Sequence, residues 1–167
     1  ACTIGTATTA GAIAIAADGT VDLDVAGATV ASAIIRTVGK ESIWVPAAAM
    51  TPTTSNPCSD ITIVETTSGR PDMVVLDFAT GADEFAQFSI AFPKAWNLGT
   101  ITYQAFWSGI AASTDCDWSL QGVAMNDNET IDVAYGTAVV VSDNAQGAVE
   151  ELYVAAESGA VTIAGTP

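Results

Sequence analysis

The carboxylates of Asp115 and Asp117, next to Trp118, are the groups of this sequence best suited to catalysis. Glycosidases use two carboxyl groups a few ångströms apart and often stack sugar rings on aromatic side chains. On a strand these two aspartates would project from one face, and in a loop they would simply be solvated. Because the chain holds nineteen acidic residues, one close pair is a weak signal. We therefore predict no catalytic residue and a protein that is not an enzyme.

Acid-rich loops could instead bind calcium, a hard cation that prefers carboxylate and amide oxygens. One such loop surrounds Asp115 and Asp117, and the other is Asn126-Asp127-Asn128-Glu129. Neither has the spacing of the twelve-residue EF-hand loop. The sequence therefore favours polar turns over ion sites, and it predicts no metal and no cofactor.

Several functions are excluded by residue types that the chain lacks. It has no histidine, and after Lys94 it has no basic residue, although nine of its acids follow. A Ser-His-Asp triad and a histidine metal site are thereby excluded, as is the glycine-lysine phosphate loop. A net charge of −15 repels phosphate backbones and anionic lipid surfaces. We expect neither nucleic acid nor membrane as a partner, and no run of eighteen apolar residues indicates a membrane span.

Three separated cysteines, Cys2, Cys58 and Cys116, form no CxxC pair. An odd number without a dense framework favours buried or free thiols in a protein assembled inside a reducing cell. One disulfide remains the alternative.

A group of aromatic residues has two interpretations, a glycan-stacking face or part of the core. Its members are Trp96, Tyr103, Phe106, Trp107 and Trp118. Aromatic residues at period-two spacing are usually core residues, because each ring buries a large apolar area. Phe106 is out of phase with Tyr103 and Trp107, so we predict that it is exposed or faces another subunit.

The elements that would position these residues are strands, since β-branched residues are abundant and long helix-forming side chains are rare. Residues 1–40 are rich in Ala, Thr and Gly and predict an extended N-terminal arm with short strands. From residue 41, shortly before the first aromatic residue, Trp44, to 167 we predict one domain. The stretch 51–60 predicts a surface loop, and turns are predicted at 81–83, 97–99, 126–128 and 142–144. Strand candidates are 61–65, 73–78, 85–92, 100–107, 117–125, 131–135, 137–141, 150–154 and 160–164. This spacing predicts an all-β, antiparallel, jelly-roll-like β-sandwich.

Parts of residues 41–167 resemble a domain found in virion proteins of tailed bacteriophages. The matching motifs are Glu41-Ser42-Ile43-Trp44-Val45-Pro46-Ala47, Leu76-Asp77-Phe78, Gln87-Phe88, Trp96-Asn97-Leu98-Gly99-Thr100-Ile101, Gln121-Gly122-Val123-Ala124, Ile131-Asp132-Val133-Ala134-Tyr135-Gly136-Thr137 and Ala160-Val161-Thr162-Ile163-Ala164-Gly165. These are packing and turn motifs. The resemblance implies a jelly-roll module of a head fibre, capsid decoration or tail fibre, commonly trimeric.

The expected function is therefore that of a structural protein on the surface of a bacteriophage particle, assembled in the host cytoplasm. Its expected partners are two further copies of itself and the major capsid protein or another virion protein. The alternative is a tail-fibre domain that binds a receptor or host surface glycan. A surface depolymerase using Asp115 and Asp117 and a bacterial surface adhesin are further hypotheses that the sequence leaves open.

Overall fold

The described part of the chain is all-β, as the abundance of β-branched residues predicts. The computed structural model describes residues 40–109, 115–147 and 151–166. Its strands are β1 Thr51–Pro52, β2 Thr62–Val64, β3 Met73–Val75, β4 Ala86–Gln87, β5 Phe106–Trp107, β6 Asp115–Leu120, β7 Gly122–Ala124, β8 Val139–Asn144, β9 Tyr153–Val154 and β10 Ile163–Gly165. One turn of 3-10 helix, Ala47–Ala49, follows Pro46. No helix in these residues has the length and apolar character to cross a membrane.

The predicted N-terminal arm, 1–40, lies outside the described residues except for Lys40, and so does Cys2. All described residues fall within one compact unit, Gly39–Pro167. Near its start, Lys40 forms an ion pair with Glu157. The same carboxylate accepts a hydrogen bond from Thr102 Oγ1 at 2.6 Å. The hydrogen bond from Lys40, followed by that from Thr102, lowers the pKa of Glu157.

The longest ladder joins β6 and β8, antiparallel over six residue pairs. Burial alternates along both strands, as expected for a sheet with one covered face. The inner, half-buried side chains are Cys116, Trp118, Leu120, Val139, Val141 and Asp143. The outer face carries Asp115, Asp117, Ser119, Val140, Ser142 and Asn144. Burial in this ladder therefore follows the period of two, except that Asn144 at the end of β8 is half-buried like Asp143.

A second antiparallel contact begins with the pairing of β5 and β9, Phe106 opposite Val154. It continues beyond both strands, because Ala155 N–H donates to Ala105 O (3.0 Å) and Ser158 N–H donates to Tyr103 O (2.9 Å). The two hydrogen bonds are two residues apart on one segment, from Tyr103 to Ala105. They are three residues apart on the other, from Ala155 to Ser158. The extra residue is a β-bulge, which bends the strand and interrupts regular pairing. It explains why β5 and β9 are only two residues long.

One strand pair departs from the predicted antiparallel sandwich: β7 and β10 are parallel, with Ile163 opposite Gly122. Gly165 ends β10 with φ of 79°, a left-handed conformation that glycine adopts without a Cβ penalty. A Cβ on this residue would lie 2.2 Å from the carbonyl oxygen of Ala124. Only glycine fits here, because both the backbone angle and the close approach to β7 exclude a side chain.

The remaining strands form two antiparallel pairs. β2 pairs with β3, Ile63 opposite Val74, through a turn that contains Gly69 at φ 83°. β1 pairs with β4, and Pro57 bridges Phe85 nearby. The predicted loop 51–60 therefore begins with a two-residue strand. In all, the described strands form five two-stranded pairs, which are smaller units than the sheets of the predicted sandwich.

Two local predictions were wrong. Residues 131–135 alternate as a strand should, but they form none, and Ile131 is 81% exposed. Conversely, the predicted turn 142–144 is the end of β8. In both places the deciding factor is a partner strand, since an alternating pattern becomes a strand only where a neighbour supplies the hydrogen bonds.

The core of the described residues is small. Its buried apolar side chains are Cys58, Ala145, Ala155 and Val161, while sixteen large apolar or aromatic side chains are exposed. Three of the four buried residues have at most a thiol or a methyl group as side chain. Little apolar area is therefore removed from water by this part of the chain alone.

Candidate functional site

Asp115 and Asp117 lie on the outer face of the β6–β8 ladder, as their spacing predicts for a strand. Asn144 Nδ2 donates to Asp115 Oδ1 at 2.7 Å, and Ser142 Oγ donates to Asp117 Oδ1 at 2.5 Å. Each donor is the residue directly opposite on β8. Such cross-strand pairs stabilise a sheet by roughly 0.2–1 kcal/mol each. The two carboxylates therefore have a structural use as cross-strand hydrogen-bond acceptors.

A third carboxylate of the same ladder, Asp143, points to the inner face, and sequence reasoning missed it. Trp107 Nε1 donates to Asp143 Oδ2 at 2.8 Å. Cys116 lies directly opposite on β6. Burial raises the pKa of the Cys116 thiol, and the charges of Asp117 and Asp143 raise it further. Extending the predicted strand 137–141 by two residues would have placed Asp143 on the same face as Val139 and Val141.

The inner face of this ladder holds part of the predicted aromatic group. The ring of Trp118 lies 5.9 Å from that of Trp107 and 5.4 Å from that of Phe78, and Trp107 lies 5.0 Å from Tyr153. The Tyr103 hydroxyl lies 2.5 Å from Trp118 O and 2.9 Å from Val139 O. Burial raises the pKa of Tyr103. These rings pack on one another and on the ladder.

The other two aromatic residues of the predicted group lie elsewhere. Trp96 stacks on Phe92 with ring centroids 4.3 Å apart. Phe106 packs edge-on against Trp44 at 4.9 Å, and both rings are exposed, Trp44 by 66%. The prediction that Phe106 is exposed is confirmed. The five residues therefore do not form a single stacking face.

The acid-rich loop at 126–129 forms a hydrogen-bonded turn. Glu129 Oε2 accepts from Asn126 N–H at 2.9 Å, and Asn126 Oδ1 accepts from Asp127 N–H at 2.8 Å. Asn128 has φ of 63°, a conformation that asparagine tolerates. Among the described residues, no three or more His, Cys, Asp or Glu side chains are grouped as metal ligands. The loop's oxygens satisfy its own backbone.

A large open groove, of about 950 Å³, lies within the described residues. We call it the groove throughout. Its walls come from residues 85–98 on one side and from 119–125, Tyr135, Ala138 and Ile163 on the other. Its volume lies at the upper end of the range of about 300–1,000 Å³ typical of ligand sites.

Apolar side chains form most of the groove, and its polar lining residues are Thr53, Ser55, Gln87, Ser89, Lys94, Ser119 and Gln121. Exposed residues of the apolar lining include Ile90, Leu98, Met125 and Tyr135. Trp96 lines it as well, and the Trp96 indole N–H is buried without a hydrogen-bond partner among the described residues. One sequence signal could have indicated this site: residues 85–114 contain no acid in a strongly acidic chain.

The chain matches no protein-family model, and searches among curated proteins and among solved structures returned no match. The class defined by the structure is thus an all-β module with paired polar groups on its longest ladder and a large uncovered apolar groove.

Proposed function

We propose that this chain is a non-enzymatic structural protein of a bacteriophage virion, displayed on the particle surface as a capsid decoration or head-fibre module. In this proposal it acts as a homotrimer whose jelly-roll-like β-sandwich is completed by contacts between subunits. Its other partner is the major capsid protein or another virion protein. The sequence resemblance supplies the kind of particle, and the surface of the chain supports a role in assembly.

The observation that carries the proposal is the imbalance between buried and exposed apolar side chains. Among the described residues, four apolar side chains are buried, whereas sixteen large ones are exposed. Soluble monomers rarely expose extensive contiguous apolar surface, and larger patches mark interaction sites. Obligate subunit interfaces resemble a domain core divided between chains. A module that completes its core with neighbouring copies accounts for this surface.

The charge of the chain fits the same role. At −15, copies repel one another through solvent except where a neutral surface allows contact. Close packing is thereby restricted to contacts in which at least one of the two surfaces is free of acids, which favours a defined assembly over random aggregation.

Mass measurement followed by imaging tests the proposal. Light scattering at micromolar concentration is expected to give three times the 16.9 kDa of one chain. A reconstruction of particles that carry this protein is expected to show it at the outer surface with local threefold symmetry. A monodisperse monomer, or particles without density for the chain, contradicts the proposal.

A second function, a tail-fibre domain that binds a host glycan, is favoured by the exposed pair Trp44 and Phe106. Exposed aromatic faces stack on sugar rings, and no part of the described chain covers most of Trp44. A glycan array probed with the wild type and with Trp44→Ala tests this function. Loss of a specific signal in Trp44→Ala, but not in Leu152→Ala, supports it, and absence of any signal from the wild type rejects it.

A further inference from the structure

The charge of the groove differs from that of the rest of the molecule. None of its described lining residues is acidic, and one, Lys94, is basic. The chain as a whole has nineteen acids and four bases. An apolar surface with a single positive charge is complementary to an apolar segment that carries negative charge. Nucleic acid does not meet this description, because one lysine cannot hold a phosphate backbone.

Leu98 at the rim of the groove is held in an unfavourable conformation. Its φ is 61°, a region that leucine rarely occupies, and its side chain is 60% exposed. Asn97 Oδ1 accepts a hydrogen bond from Gly99 N–H at 3.0 Å and closes this turn. Strained backbone persists where the surrounding structure imposes it and often marks functional positions. Here the strain keeps an apolar side chain at the mouth of the groove.

The β2–β3 hairpin presents a surface of the opposite kind. Ile63 is 67% exposed, and Val74 lies directly opposite it and is exposed too. Ile61, two residues before Ile63, is also exposed. These three aliphatic side chains form a stripe, because alternate residues of a strand and their direct cross-strand partners share one face.

Acidic residues flank this stripe. Asp60 and Glu65 stand on either side of β2, and Asp72 precedes β3, all exposed. Arg70 in the turn is the basic residue of the hairpin. No hairpin residue is among those that line the groove. The two surfaces are therefore distinct, and each has the complement of the other: aliphatic side chains with acids, and an apolar groove with a lysine.

We propose that the groove receives the β2–β3 hairpin of a second copy of this chain, with Lys94 facing the acidic flanks of that hairpin. The contact is head-to-tail, since the two surfaces differ, and such contacts form closed rings when the rotation between copies allows it. A ring of three is the trimer of the proposed function. The inference thus rests on self-association and adds which surfaces meet.

Single substitutions on each surface test the contact. Ile63→Asp places a charge on the hairpin stripe, and Leu98→Asp places one at the mouth of the groove, at a backbone angle that aspartate tolerates better than leucine. Both side chains are exposed, so the fold should persist, which circular dichroism checks. We expect either change to convert the oligomer to a monomer in sedimentation velocity. Val140→Asp, 57% exposed on the outer face of the β6–β8 ladder, is the matched control and should leave the oligomer intact.

Mixing the two variants tests the head-to-tail geometry. Ile63→Asp retains an intact groove, and Leu98→Asp retains an intact hairpin. One functional contact can therefore form between them, and we expect the mixture to give heterodimers although each variant alone is monomeric. A mixture that stays monomeric rejects the hairpin-in-groove contact.

Photo-crosslinking gives an answer that does not depend on destabilising variants. A benzophenone amino acid at position 63 of the wild-type background should attach to a neighbour within residues 85–98 or 119–125, identified by peptide mass spectrometry. Attachment elsewhere on the neighbour overturns the inference. Lys94→Glu should weaken self-association by roughly tenfold, as expected for a like charge brought against acids at an interface, whereas Lys94→Met should have a smaller effect.

The outcomes separate this inference from the proposed function. A wild-type monomer overturns both the contact and the trimer. A wild-type trimer that survives Ile63→Asp and Leu98→Asp overturns the contact alone and leaves the trimer to other exposed surfaces. A trimer that dissociates with both variants but is missing from phage particles supports the contact and rejects the virion role.

Discussion

The β6–β8 ladder and the groove share the end of β6, but they differ in what their side chains contact within the described chain. On the ladder, three carboxylates each accept a hydrogen bond from within the described chain. In the groove, apolar side chains stand exposed. A buried indole N–H without a hydrogen-bond partner among the described residues occurs in both regions, at Trp96 in the groove and at Trp118 on the ladder. The carboxylates of the ladder therefore connect groups of the same chain, whereas the groove leaves apolar side chains exposed to solvent.

The largest expected effect is a loss of stability at Gly165, in the β7–β10 pair that forms part of the groove wall. Gly165→Ala should lower the free energy of unfolding by about 3 kcal/mol or more, since strain at positive φ adds to a clash with a backbone oxygen. Gly81→Ala is the control, because Gly81 also has positive φ (86°) but no atom within 4 Å of the added Cβ. It should cost about 1–2 kcal/mol.

Urea unfolding at one fixed protein concentration measures both glycine variants, because association contributes to the apparent stability. Equal losses would mean that the parallel β7–β10 pair is not part of the cooperative fold. The comparison would then fail, since the groove would have no fixed wall.

The ladder is tested by its inner and outer carboxylates. Asp143→Ala leaves the Trp107 indole N–H without its acceptor in a half-buried site, at an expected cost of about 2 kcal/mol. Asp117→Ala removes an outer cross-strand pair and should cost less than about 1 kcal/mol. Asp143→Asn, which keeps an acceptor oxygen, should recover most of the loss. Denaturant unfolding of the three variants gives the ranking, and an Asp117→Ala loss as large as that of Asp143→Ala would remove the distinction between the two faces.

The smallest expected effect is on the alkylation rates of two cysteines, one from each region. Cys116 lies on the inner face of the ladder, and Cys58 N–H donates to Phe85 O (3.2 Å) in the segment that lines the groove. Burial raises the pKa of both thiols above the ordinary 9.0. At pH 8 the folded thiols therefore hold less thiolate than unfolded ones, and alkylation should be several-fold slower than in urea. The alkylation rate of the folded thiols should reach its plateau at a higher pH than that of the unfolded thiols.

Peptide mass spectrometry resolves the two sites. Cys58 is 5% exposed and should react more slowly than Cys116. The reverse order would show that the groove region opens more readily than the ladder. The two regions would then differ in local stability as well as in the surface that they expose.

Sequence reasoning predicted the ladder better than the groove. Alternation gave the shared face of Asp115 and Asp117 and the core position of Trp118, although the predicted strand began at 117 and β6 begins at Asp115. It failed at 131–135 and at 142–144, because pairing with a distant strand decides those positions. The split of the aromatic group into separate clusters was equally out of reach, since Trp44 and Phe106 are neighbours only through the fold.

By itself the sequence determined the all-β character of the described chain and the exposure of Phe106. These properties follow from side-chain chemistry and from the two-residue period of a strand, which are local. The tertiary structure decided that Asp143 binds Trp107, that β7 and β10 run parallel, and that an acid-free segment lines a groove. Those facts depend on which distant segments meet, and no local pattern encodes that choice.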